Sequence, residues 1–151
     1  MSISLKSIML SGKEVLPLIE GGKGVAVSNG ESSGAWAAAG GIGTFSAVNA
    51  DSMDHDGNVI RTVYEGRSRK ERFEELVAQG IAGGISQAKV AHEVAGGEGR
   101  IHANILWEMG GAEHVLQGVL EGAKGLIHGV TCGAGMPFRL APIAAHYQVY
   151  Y

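Results

Sequence analysis

The chain has 151 residues, 45% hydrophobic and 18% charged, with net charge −3 and a pI near 6.0, enough for one domain that buries roughly two-thirds of its unfolded surface. That charge balance supplies no basic footprint for nucleic acid and no polybasic membrane patch, and no stretch approaches the roughly 18 apolar residues of a membrane span. The apolar run in MSISLKSIML is too short for a signal segment, and a single cysteine excludes an intramolecular disulfide framework, so the expected compartment is the cytoplasm.

The first predicted strand is VLPLIE, residues 15–20, a short apolar run closed by Gly21-Gly22. After the loop GGKGVAVSNGES comes a short helix, SGAWAAAG, with Ser33 as N-cap and Gly40 as its stop. IGTFSAV, residues 42–48, is the second strand, rich in β-branched and aromatic residues. A long connection over residues 49–67 turns at DHDGN. It leads into a capping box, Ser68 with Glu71, that opens a helix carrying Phe73, Leu76, Val77 and Gly80 on one face. Gly83-Gly84 is expected to kink or divide that helix. RIHANILW, residues 100–107, is the third strand, and AEHVLQGVLEGA the third helix, with Val115, Leu116, Val119 and Leu120 as its apolar stripe. GLIHGVT, residues 125–131, is the fourth strand, PFRLAPIAAHY the fourth helix starting at Pro137, and QVYY opens a fifth strand.

Strict βα alternation argues a parallel sheet with covering helices. Two features favour a β/α (TIM) barrel over a doubly wound sheet. GGKGVAV lacks the dinucleotide fingerprint spacing. Gly-rich segments also follow every strand; the 25 glycines, well above the usual roughly 7%, gather in pairs where apolar runs end. On this reading residues 1–151 are the N-terminal half of a barrel domain, four βα units and the start of strand five.

Three segments carry a family likeness: PLIEGGKGVAVS (17–28), AAAGGIGTFSA (37–47) and GLIHGVTCGAGMP (125–137). With them in this order the chain resembles the nitronate monooxygenases (2-nitropropane dioxygenases), flavoproteins related to FMN-dependent enoyl-acyl-carrier-protein reductases. The resemblance implies an FMN-dependent oxidoreductase oxidising alkyl nitronates with molecular oxygen. It implies that Gly21, Gly22, Lys23 and Gly24 lie against the flavin, that Asn104 hydrogen-bonds it, and that the loop at Thr131 and Cys132 contacts flavin or substrate. Glu20 and Lys23 depart from the family's glutamine and apolar residue; a lysine beside the flavin edge would stabilise reduced flavin. The family's catalytic histidine has no counterpart in residues 1–151, so no catalytic residue is assigned.

Other readings compete with these. Glycines at 21–24 also serve a tight strand–helix turn. Asn104, between Ala103 and Ile105, faces away from the apolar side of its strand, where it suits a cofactor ligand or a satisfied interior amide equally. Cys132 stands where a nucleophile would, but a lone cysteine is usually a small buried hydrophobe and no base is identifiable beside it. The six histidines show no zinc spacing; His102 and His128, on adjacent strands, read as hydrogen-bonded core residues. SMDHDGN has the outline of a calcium loop, yet Val63 stands where the bidentate glutamate belongs, leaving a turn. Arg67, Arg69, Lys70 and Arg72 are answered by Glu71, Glu74 and Glu75, a solvated helix face. The alternatives to the nitronate reading are an enoyl-thioester reductase, suggested by TCGAGMP, and a non-catalytic half-barrel. A half-barrel exposes two sheet edges, which a homodimer or a complementary half would cover.

Overall fold

A computed structural model describes residues 5–151; the first four residues of the MSISLKSIML run lie outside them. The chain opens on a hairpin, β1 (Ile8–Leu10) and β2 (Lys13–Val15). Ser11 and Gly12 form its two-residue loop, both at positive φ (48° and 72°), the geometry that matches the twist of paired strands. Then follow α1 (Gly30–Ala38), β3 (Ile42–Ser46), α2 (Arg69–Ala95), β4 (Arg100–Leu106), α3 (Ala112–Gly122), β5 (Gly129–Gly133) and α4 (Leu140–Tyr147).

The expected barrel is not what forms. The parallel sheet has three strands, in the order β3-β4-β5, and the hairpin is a separate antiparallel pair. Alternating strands and helices dictate parallel pairing but not closure, which needs pairing to continue at both edges. Here each edge carries one bridge, Ile19 to Ile42 and Tyr150 to Gly129. On the first edge Pro17 has no N–H to give a ladder, and the Leu18 N–H turns back to the Leu16 carbonyl. Of the predicted first strand, Val15 belongs to β2 and the remainder keeps one bridge, as does the predicted fifth strand.

Local signals fared better. Ser68 caps α2 with Glu71 in a reciprocal box, and Gly96 ends it in the left-handed region. α2 runs unbroken for 27 residues. Gly83 does not divide it but lets it press on the Ala50 carbonyl, and Gly84 receives the Val119 side chain. α1 starts earlier than predicted because Asn29, boxed with Ser32, is the cap; Ser33 is instead a buried first-turn residue packed over Gly43. α4 begins at Leu140, after a turn in which the Leu140 N–H donates to the Pro137 carbonyl.

The core lies between the sheet and its helices. Phe45, Ile101, Ala103, Ile105 and Val130 meet Ala88, Ala91, Val115, Leu116 and Val119 there, all buried. None of the described helices is long and apolar enough to cross a membrane.

Candidate functional site

Strand residues alternate between faces, and this sheet separates them by polarity. Phe45, Ile101, Ala103, Ile105 and Val130 form the helix-covered side. Register aligns the others into polar rows: Thr44 beside His102 and Gly129, then Ser46 beside Asn104 and Thr131 nearer the C-terminal ends. The open ends of parallel strands are where ligands bind in α/β sheets. The second row lies there.

The loop after Glu20 folds across this row. Gly22 rests directly on the Asn104 side chain, where any Cβ would collide, and Gly24 approaches the Ser46 hydroxyl. Ser28 fastens the loop: its Oγ accepts from the Lys23 N–H (2.9 Å) and donates to the Gly21 carbonyl (3.1 Å), while its own carbonyl accepts from the Ser46 N–H (2.8 Å). Glu20, only 3% exposed, accepts from the Ser32 hydroxyl (2.8 Å) and the Thr44 N–H (3.0 Å). Lys23 Nζ stands 3.8 Å from that carboxylate and 3.4 Å from the Gly21 carbonyl. Its charge is therefore directed back at Glu20, and the lysine clamps its own loop.

Asn104 is 6% exposed. Its carbonyl accepts from the Ala47 N–H, but its side-chain amide makes no hydrogen bond among the described residues. Thr44 Oγ1, one row below, is buried and also lacks a partner. A buried polar group left unpaired costs about 1–3 kcal/mol, so this face has hydrogen-bonding capacity unspent on the fold. Thr131 is exposed beside Asn104. The Cys132 side chain turns to the other face and packs on the core, and burial raises its thiol pKa despite the opposing hydrogen bond from the Trp107 backbone. The residue is only partly buried, and its side chain lies off the Asn104–Thr131 row.

The structure thus joins Gly22 with Asn104 and aligns Asn104 with Thr131, while Lys23 points toward Glu20. Sequence reasoning missed Ser28 and Ser46, which knit the loop to β3; the serine in PLIEGGKGVAVS was visible, but its partners are distant. The recess beside these two serines holds about 80 Å³ and is bounded by Ala26, Asn29, Asp51 and Gln87. Pockets that enclose a ligand are typically about 300 Å³ or more. A larger ligand at the strand ends would lie on an open surface.

His102 and His128 are both held neutral, with pKa values near 4, chiefly by burial and then by the Arg100 charge. His102 Nε2 lies 2.7 Å from the Ser11 hydroxyl, and His128 Nδ1 accepts from the Ile101 N–H at 3.0 Å. Each is thus held by one hydrogen bond near the hairpin, and no metal-holding cluster occurs among the described residues. At DHDGN, Asp54 accepts from the Asp56 and Asn58 N–H groups, making it a turn. The chain matches no protein-family model and no curated protein, so a functional reading rests on the residues themselves.

Proposed function

We propose that the C-terminal edge of the parallel sheet holds the ring of FMN and that the protein is an oxidoreductase of the nitronate monooxygenase type. The observation that carries this is the Asn104 side chain, 6% exposed and making no hydrogen bond among the described residues, under the backbone of Gly22. An amide offers both donors and an acceptor, which suits the alternating N–H, C=O and N groups of a flavin's polar edge. Thr131 adds a hydroxyl on the same row, and a glycine at 22 lets backbone approach as no other residue could. The recess at this edge is about 80 Å³, so the fit proposed is to the ring lying over the strand ends. The flavin supplies the electron-transfer chemistry. The chain's share is to orient the ring by Asn104, Thr131 and the loop N–H groups. The Lys23–Glu20 pair fixes the loop's shape.

The enoyl-thioester reading has one observation in its favour. Met136 and Phe138, 79% and 77% exposed, follow the same strand end and offer an apolar rim to an acyl chain. The two sheet edges, each holding a single bridge, also suit pairing with a second copy of the chain.

FMN added to the whole chain should show saturable fluorescence quenching. Asn104→Leu should weaken that binding about tenfold or more, equivalent to roughly 1.4 kcal/mol, with the circular dichroism spectrum unchanged. Absence of saturable quenching, or an unaltered affinity in Asn104→Leu, would sink the proposal. Oxygen uptake with a nitronate, set against nicotinamide oxidation with an enoyl thioester, separates the two chemistries.

A further inference from the structure

We propose that a second site, at the opposite end of the strands, binds a small organic phosphate. There the hairpin turn, the first residue of β4, the α3–β5 loop and the end of α4 enclose an open cleft of about 430 Å³. Arg100, Lys124, His128, Tyr147 and Tyr150 contribute to its lining, and no carboxylate does.

The charge count favours an anion. Arg100 and Lys124 form no ion pair among the described residues. Opposing them are the C-terminal ends of α3 and α4, each worth about half a negative charge. Among the lining groups, two cations stand against roughly one unit of opposing dipole charge. Desolvation first, and then the nearby Glu121 carboxylate, raise the pKa of the Tyr147 phenol on the cleft wall, so Glu121 offsets part of the cleft's positive charge.

The neutral groups add donors. Because His128 Nδ1 accepts the Ile101 N–H, its ring proton sits on Nε2. The Tyr150 hydroxyl is held over Gly12, where a Cβ would come within 2.9 Å of its oxygen. The Arg100 guanidinium is positioned through its Nε–H, which donates to the Ser11 carbonyl at 2.7 Å, leaving its terminal nitrogens for a ligand. A guanidinium fork, an ammonium and neutral donors match the several oxygens of a phosphate dianion. The cleft exceeds the size of a bare phosphate, and its tyrosines and Ile127 provide a wall for an organic group.

Phenyl phosphate and inorganic phosphate, titrated separately into the whole chain by calorimetry, provide the test. Both should bind saturably, phenyl phosphate more tightly. Lys124→Met should lower affinity about tenfold, the scale of one charge-assisted contact; Arg100→Lys, which keeps the charge but loses the fork, should lower it less. Lys89→Met, on the exposed side of α2, should change nothing. Failure of both probes to saturate, or an equal loss in Lys89→Met and Lys124→Met, would overturn the site. FMN takes no part in this titration, so the outcome is separate from that of the flavin proposal.

Discussion

The two faces of the three-stranded sheet differ in what completes them. On one, Phe45, Ile101 and Ile105 are sealed by helices and reach zero or 1% exposure. On the other, Thr44, Ser46, His102 and Asn104 are covered by a hairpin turn and a glycine loop, with some of their hydrogen-bonding groups left over. The first face is finished by the chain itself. The second is built as a polar surface that a bound molecule or water would complete, at a cost in stability that a purely structural sheet would not carry.

The largest effect should come from opening the finished face. Phe45→Ala should lose about 3–5 kcal/mol of stability in chemical denaturation, because the cavity lies in a packed core; a loss under 1 kcal/mol would mean this face is looser than described. Overfilling comes next. Gly83→Ala pushes a methyl into the Ala50 carbonyl and should cost about 1–3 kcal/mol, with α2 shifting or bending at that point.

The polar face should respond to pH instead. The folded pKa values of His102 and His128, near 4, lie below the ordinary 6.5, so the unfolded chain takes up protons first as pH falls. Their contribution is fully present above pH 6.5 and is lost progressively down to about 4. After allowance for partial exposure, the loss is on the order of 1–3 kcal/mol for the pair. Unfolding midpoints measured across that range should slope accordingly, and His102→Gln should flatten the slope; an unchanged slope would remove the histidines from the account. Smallest is Lys23→Met. Its side chain is more than half exposed, and the buried Glu20 keeps its bonds from Ser32 and Thr44 without it, so the loss of stability should be about 0–1 kcal/mol, and any change in FMN affinity would report loop shape.

What could be read ahead of the structure divides along physical lines. The Ser68–Glu71 box and the strand RIHANIL were legible because capping and alternation are local. The Asn104 face was legible for the same reason. Barrel closure was not, since it depends on pairing at distant edges, where Pro17 removes a donor. The hairpin escaped because each of its strands is only three residues, too short for a period to show, and its turn depends on positive φ at Ser11 as well as Gly12. Glu20 reads as an ordinary loop carboxylate until Ser32 and Thr44, from two other elements, converge on it.

Gln87 carries a consequence for substitution. Its Oε1 accepts the Gly30 N–H and its Nε2 donates to the Asp51 carbonyl, each at 2.6 Å, from a 5% exposed position in mid-α2. One planar group thereby ties the first residue of α1 to the stretch after β3, and it must donate and accept at once. Glutamate would set a carboxylate against the Asp51 carbonyl, and methionine, of similar shape, would strand both backbone groups. Among side chains of that length only glutamine meets both demands, so this position should tolerate less variation than the larger apolar residues around it.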